Sequence, residues 1–106
     1  MQALGGAKNH AVVLPDADMQ FAAEQLAAAA FGSAGERCMA ISVAVPVGEE
    51  TANALIDRLI PQVKTLKIGN GMEPGLDMGP LVTRAHRDKV SAYVDIGVEQ
   101  GARLLV

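Results

Sequence analysis

Two short apolar segments with a helix-forming segment between them constrain the fold of this 106-residue chain more than any other feature. Residues 10–14 (HAVVL) and 41–47 (ISVAVPV) are rich in β-branched side chains and predict two buried strands. Residues 19–31 repeat apolar side chains at helical spacing and include six alanines, so they predict a helix, which Asp16 or Asp18 can cap. This order of elements predicts two parallel strands with a helix packed against them.

The second half of the chain predicts two further helices and a third strand. Residues 51–66 carry apolar side chains on one helical face, although Pro61 should kink this helix or end it early. Residues 69–80 contain four glycines and two prolines, which indicates a long surface loop. Thr83 can cap a third helix that Gly101 ends, and residues 102–106 (ARLLV) predict a last strand.

The predicted element order is β-α-β-α-α-β, which is typical of an α/β fold. We expect a three-layer arrangement in which a mostly parallel sheet is flanked by helices. Three strands make an incomplete sheet, because the edges of a sheet are normally paired or covered. The first strand also begins soon after Met1, and the chain stops inside an apolar run. We therefore expect residues 1–106 to be part of a longer domain that is truncated at both ends.

Charge and hydropathy exclude several classes of partner. The net charge is -3 at pH 7, and no basic cluster predicts a nucleic-acid site or an anionic membrane surface. The longest apolar run, residues 26–31, is too short to cross a bilayer. A single cysteine cannot form an internal disulfide, which fits the reducing cytoplasm. We expect a cytoplasmic protein that binds neither nucleic acid nor membrane.

Cys38 is the strongest candidate for a residue that carries chemistry. It lies in residues 31–40 (FGSAGERCMA), after two glycines and directly beside Arg37. A thiolate nucleophile needs exposure and a positive environment, and a turn next to an arginine can provide both. Most single cysteines are instead small buried hydrophobic residues, so composition alone leaves both interpretations open.

Other candidate sites are weaker. Residues 5–8 (GGAK) resemble part of a phosphate loop, but the full P-loop pattern is absent, so a tight turn before the first strand is favoured. His10 and His86 have no cysteine or carboxylate near them at metal-ligand spacing, and Asp77 does not fit a calcium loop. We expect no metal site.

Three stretches taken together resemble the aldehyde dehydrogenase superfamily, and within it the CoA-acylating methylmalonate-semialdehyde dehydrogenases. They are GAKNHAVVLPDAD at residues 6–18, AAFGSAGERCMA at residues 29–40 and GLDMGPLVT at residues 75–83. The resemblance covers essentially all 106 residues, and the joint spacing is far more specific than any single stretch. Family members are several times longer, so the resemblance implies that residues 1–106 are part of the aldehyde dehydrogenase catalytic domain.

The resemblance implies a role for Cys38. In this family the matching cysteine attacks the aldehyde carbon, hydride passes to NAD, and a thioester remains. The backbone N–H of Cys38 would help to bind the developing oxyanion, while the usual asparagine partner lies outside this sequence. The family also implies a small-molecule semialdehyde substrate, coenzyme A as co-substrate, a homo-oligomer and a place in valine catabolism. No residue here is assigned to cofactor binding, and the isolated chain is expected to be inactive.

One departure from the wider superfamily bears on how the thioester is released. Hydrolytic members carry a glutamate general base in a Glu-Leu-Gly-Gly-Lys stretch before the cysteine. An ungapped alignment places Leu4 at that position, and residues 1–14 contain no acidic residue at all. Without a base, water is hard to activate, whereas the thiol of coenzyme A is partly ionised near neutral pH. The departure favours release to coenzyme A, and the resemblance implies propionyl-CoA or acetyl-CoA as the product.

Arg37 is the second residue that the resemblance makes informative. On sequence alone, an ion pair with Glu36 or another neighbour is the simplest role for its side chain. Malonate and methylmalonate semialdehydes carry a carboxylate at the end opposite the aldehyde, and the planar guanidinium binds carboxylates in a bidentate manner. We predict that Arg37 binds the substrate carboxylate.

Two alternatives remain open from the sequence. The first is a hydrolytic aldehyde dehydrogenase that receives its general base from elsewhere. The second is a catalytically inert module that binds a partner through its sheet edges. The reactivity of Cys38 toward a thiol reagent separates the second alternative from the enzymes, because an inert buried thiol reacts slowly.

Overall fold

The computed structural model describes Met1 and residues 6–106, and it confirms the α/β fold. Strand β1 (Asn9–Val13) and strand β2 (Ile41–Pro46) pair in parallel, and helix α1 (Met19–Phe31) connects them. The bounds of α1 agree with the prediction, and each strand differs from its predicted range by one residue at one or both ends.

Helix α1 begins at the acidic cap that the sequence offers. Asp18, rather than Asp16, caps it: Oδ1 of Asp18 accepts hydrogen bonds of 3.0 Å from the backbone N–H groups of Gln20 and Phe21. These bonds satisfy two of the donors that every helix leaves unpaired at its first turn. The cap fixes where the chain leaves the sheet.

The pairing of the two strands is irregular at the start of β1. Asn9 pairs with Ile41, but His10 pairs with Val43, so Ser42 is one extra residue on β2. From there the register is regular as far as Val13 and Pro46. A β-bulge of this kind changes the direction in which nearby side chains point.

A small core lies between the sheet and the two helices that pack on it. Val13, Ala23, Leu26 and Leu55 are buried together, and part-buried Ile41 packs against them. The opposite face of the sheet carries Val12, Val43 and Val45, which are exposed. Because alternate residues of a strand point to opposite faces, one face of this two-stranded sheet is packed and the other is open.

Helix α2 (Glu49–Thr65) passes through its proline instead of ending there. Pro61 lacks the N–H that would bond to the carbonyl of Asp57, yet the helix continues for four more residues. Both residues lie on the exposed side of the helix, where water can solvate that carbonyl. Of the two predicted outcomes, a kink or an early end at Pro61, the early end is therefore wrong.

The segment between α2 and the last helix is the predicted surface loop, with a single bridge between Ile68 and Met78. Helix α3 (Arg84–Glu99) is capped by Thr83, whose hydroxyl accepts a 3.1 Å hydrogen bond from His86 N–H. It ends before Gly101, which has a φ of +97° and suits the left-handed conformation common after helices.

The predicted strand at residues 102–106 is wrong. These residues form no ladder and instead line a cavity of about 920 Å³ against β2 and α2. A strand is defined by its pairing, and these residues pair with neither β1 nor β2. In the described part of the chain, no helix is long and apolar enough to span a membrane.

Candidate active site

A left-handed turn at the end of α1 delivers the chain to Cys38. In the short turn Gly32–Gly35, Ser33 has a φ of 55° and Ala34 a φ of 54°, values that residues with a Cβ adopt at a cost. Two hydrogen bonds hold this backbone: Glu36 N–H to the Ser33 carbonyl at 3.0 Å, and Ala34 N–H to Sδ of Met78 at 3.4 Å. The left-handed path turns the chain sharply just before the cysteine.

Cys38 occupies a central position of the next turn. Ala40 N–H donates to the Arg37 carbonyl over 3.0 Å, which closes a β-turn with Cys38 and Met39 at its two central positions. Both side chains are exposed, and Ala40 behind them is buried. The thiol is therefore presented to solvent at the tip of a turn whose base is anchored in the protein.

The backbone N–H of Cys38 belongs to the same residue as the exposed thiol. Among residues 6–106, no atom accepts a hydrogen bond from this N–H. A nucleophile and an unpaired backbone donor on the same residue suit attack on a carbonyl, because the donor can stabilise the oxyanion that the attack creates.

Asn9, the first residue of β1, connects the Cys38 turn to the sheet through two hydrogen bonds. Its Nδ2 atom donates to the Cys38 carbonyl at 3.1 Å and to the Ala40 carbonyl at 2.9 Å. Asn9 is part-buried at the start of β1, beside the bulge in the strand register. Sequence reasoning missed this residue, and a polar side chain directly before an apolar strand was the only signal for it.

The exposed side chain of Arg37 folds back over the end of α1. A Cβ atom added to Gly32 would lie 2.8 Å from Nη1 and 2.9 Å from Cζ of Arg37. The guanidinium can therefore occupy this position only because residue 32 has no side chain. The two residues line a cavity of about 270 Å³ together with Phe31, Asp77 and Met78. The cavity lies beside the left-handed turn that precedes Cys38.

No ion pair occupies the guanidinium of Arg37 in the described residues. The alternative ion pair with Glu36 is absent there, and the described salt bridge joins Arg87 to Asp88 on α3. Asp77 shares the cavity with Arg37, but its Oδ2 accepts a 2.7 Å hydrogen bond from Lys67 N–H. The guanidinium therefore lines a cavity in this part of the chain without a protein carboxylate bound to it.

The remaining candidates from the sequence do not join this site. Leu4 and Gly5 lie outside the described residues, whereas Gly6 forms a bend shortly before β1. Nδ1 of His10 lies 2.7 Å from the carbonyl of Lys8, and His86 is in the first turn of α3. The site thus consists of the Cys38 turn, the Arg37 cavity and the two residues that sequence reasoning missed, Asn9 and Met78.

Relatives share this arrangement of elements along the whole chain. A malonate-semialdehyde dehydrogenase of Pseudomonas aeruginosa is 64% identical over 106 residues, which are 100% of this chain and 21% of that protein. A solved methylmalonate-semialdehyde dehydrogenase of Oceanimonas doudoroffii superposes with a TM-score of 0.93 at 51% identity, over 97% of this chain and 21% of its own. A Sinorhizobium meliloti structure in complex with NAD also has a TM-score of 0.93, at 58% identity over 96% of this chain and 21% of its own.

The chain thus spans about a fifth of the length of the relatives that it matches. Within that fifth, the two solved structures superpose with a TM-score of 0.93 over 96% and 97% of this chain. The model of the aldehyde dehydrogenase family matches residues 1–106. The likeness therefore covers every described element of the site, and the chain belongs to the aldehyde dehydrogenase family.

Proposed function

We propose that residues 1–106 form part of the catalytic domain of a CoA-acylating semialdehyde dehydrogenase. The substrates are malonate and methylmalonate semialdehyde, and the products are acetyl-CoA and propionyl-CoA. The observation that carries this proposal is the exposed thiol of Cys38 at the tip of an anchored turn, with its own N–H unpaired among the described residues. The names of the relatives supply the substrate class.

Cys38 acts as the nucleophile. Its thiolate forms a bond to the aldehyde carbon, and the carbonyl electron pair moves onto oxygen, where the Cys38 N–H donates a hydrogen bond. Transfer of a hydride from that carbon to a two-electron acceptor, with return of the oxygen electron pair to the carbonyl bond, leaves a thioester on Cys38. The thiolate of coenzyme A then attacks the thioester, so that an acyl-CoA leaves and the Cys38 thiolate is restored. For malonate semialdehyde, the distal carboxylate leaves as CO₂ and a proton replaces it on the carbon, which accounts for the acetyl group.

Arg37 binds the distal carboxylate before that group is lost. Its guanidinium lines a cavity next to the Cys38 turn and has no carboxylate partner among residues 6–106. Arg37 is exposed, so the attraction rests on the geometry of paired, charge-assisted hydrogen bonds and not on a low local dielectric. The fork of donors would orient the substrate so that its aldehyde carbon faces the thiol.

NAD supplies the oxidising equivalent in this proposal, as the NAD complex of the Sinorhizobium meliloti relative suggests. The described residues alone do not fit this cofactor. The cavity of about 320 Å³ beside β1 and α1 is lined almost entirely by apolar side chains, whereas a dinucleotide needs donors for its pyrophosphate. No residue between 6 and 106 is therefore assigned to NAD. A cytoplasmic location and a homo-oligomeric assembly stay predictions.

The products formed by the full-length enzyme show whether coenzyme A or water accepts the acyl group. With malonate semialdehyde, NAD and coenzyme A, we expect one acetyl-CoA for each NADH. Without coenzyme A, turnover should stop after about one NADH per active site, because no acid occurs in residues 1–14 to activate water. Steady NADH formation without coenzyme A, with ¹⁸O from labelled water in a free acid product, would instead identify a hydrolytic enzyme.

The contact between Arg37 and Gly32 gives a second test. Gly32→Ala should displace the guanidinium at little cost in stability, because the displaced atoms end a flexible side chain. We expect KM for malonate semialdehyde to rise roughly threefold to tenfold, the effect of one hydrogen bond worth about 0.5–1.5 kcal/mol. Gly71→Ala is the matched control, since a Cβ there meets nothing within 4 Å. Equal KM values for the two variants would contradict a role for the guanidinium in its observed position.

A further inference from the structure

Both amide hydrogens of Asn9 are used on the Cys38 turn. Nδ2 donates to the carbonyl of Cys38 and to that of Ala40, two residues later and 31 positions away from Asn9 in the chain. The amide orientation follows from the chemistry, because only the NH₂ group of asparagine can donate to two carbonyl oxygens. One side chain therefore fixes two peptide groups on the C-terminal side of the candidate nucleophile.

We propose that Asn9 is a positioning residue that orients the Cys38 backbone for attack on the aldehyde. This inference rests on the proposed function, since it assumes that Cys38 is the nucleophile. The N–H that would bind the oxyanion lies in the peptide group before the Cys38 Cα atom, and the hydrogen bond from Ala40 N–H to the Arg37 carbonyl holds that group. The carbonyl held by Asn9 lies in the peptide group after the Cα atom, so together the two bonds limit rotation about the φ and ψ bonds of Cys38. Oxyanion donors act over 2.7–3.1 Å, and a small rotation is enough to lose this distance.

The bulge in the sheet explains how Asn9 reaches the turn. Asn9 pairs with Ile41, the residue directly after Ala40, whereas the register of the following residues would pair it with Ser42. The extra residue Ser42 therefore brings Asn9 one position closer to Cys38 along β2. Bulges are enriched next to active sites, where they redirect side chains.

The turn does not need Asn9 in order to form. Its own hydrogen bond from Ala40 N–H to the Arg37 carbonyl closes it, and the ladder from His10 to Val13 anchors β2. Asn9 adds only the orientation of the Cys38 and Ala40 carbonyls. Its loss should therefore leave a folded enzyme that binds its substrates but reacts slowly.

The test uses Asn9→Ala and Asn9→Asp in the full-length enzyme. We expect kcat for malonate semialdehyde to fall about 10- to 100-fold in Asn9→Ala, in line with the cost of a misplacement of about 1 Å, while KM and NAD affinity change little. Asn9→Asp has the same shape but no donor, and its carboxylate would face two carbonyl oxygens, so its loss should be larger. Alkylation of Cys38 by iodoacetamide should keep its rate, because the thiol is exposed.

Asp18→Ala is the matched control for a loss of stability. It also removes two hydrogen bonds made by one short polar side chain, but at the start of α1 and away from the Cys38 turn. Titration of active thiols corrects kcat for the folded fraction of each variant. A corrected kcat for Asn9→Ala equal to that of Asp18→Ala, or a loss that appears only in KM, would overturn the positioning role.

The wild-type enzyme separates this inference from the proposed function. Turnover of malonate semialdehyde that disappears in Cys38→Ala supports the proposed function, whatever the Asn9 variants do. Normal corrected kcat values in both Asn9 variants would then overturn the inference alone. Absence of turnover in the wild-type enzyme would overturn both.

Discussion

Replacing Cys38 by alanine in the full-length enzyme is expected to lower kcat with malonate semialdehyde by roughly 10⁴-fold or more, the scale of removing a covalent nucleophile. The stability of the fold should hardly change, because Cys38 is exposed and its removal creates no buried cavity. NADH formation measures the activity, and calorimetric titration with NAD shows whether the cofactor site survives. Residual activity above about a thousandth of the wild-type value would mean that another group is the nucleophile.

Cys38→Ser is the matched variant for this test. It keeps a side chain of nearly the same size at the tip of the turn, but a hydroxyl is far less ionised than a thiol near neutral pH. We expect it to be severely impaired as well, so that the loss tracks the chemistry of the sulfur. A serine variant close to the wild-type rate would indicate that position 38 serves packing or substrate shape.

Elements whose signals are local could be predicted from the sequence. Helix α1 has the predicted bounds because a dense run of alanines, a capping aspartate and a following glycine all agree. Helix α3 was predicted from Thr83 and Gly101 for the same reason. Each of these signals acts within a few residues, so no knowledge of the tertiary structure was needed.

The wrong predictions concern segments whose conformation depends on residues that are distant in the sequence. Residues 102–106 have the composition of a strand, but a strand also needs a paired neighbour, and these residues pair with neither β1 nor β2. Pro61 is tolerated because it lies on the exposed side of α2, where water can solvate the carbonyl that lacks its helical hydrogen bond. The composition of a segment does not contain either kind of information.

The candidate site was predicted only in part for the same physical reason. Cys38 could be singled out because it is the one thiol, and Arg37 because it is adjacent. Asn9 lies 29 residues from Cys38 and Met78 lies 44 residues from Ala34, so only the folded chain brings these groups together. In the sequence Gly32 is only one of two glycines before Cys38, whereas in the structure its missing side chain leaves room for the guanidinium of Arg37.

Arg37→Leu in the full-length enzyme is expected to raise KM for malonate semialdehyde about ten- to a hundredfold. This is the cost of losing a charge-assisted hydrogen bond worth roughly 1.5–3 kcal/mol. The exposed guanidinium lines a cavity and has no carboxylate partner among the described residues, so a substrate carboxylate would meet no competing acid there. Arg37→Lys should recover only part of the affinity, because an ammonium keeps the charge but not the fork of donors.

Propanal is the control substrate, since it offers the same reacting group without the distal carboxylate. If Arg37 binds that carboxylate, kcat/KM for propanal should change far less than kcat/KM for malonate semialdehyde. If Arg37 instead acts on the thiol of its neighbour, both aldehydes react through the same sulfur and should lose equally. An equal loss would therefore reject the carboxylate role, and the preference for a semialdehyde would then rest on the names of the relatives alone.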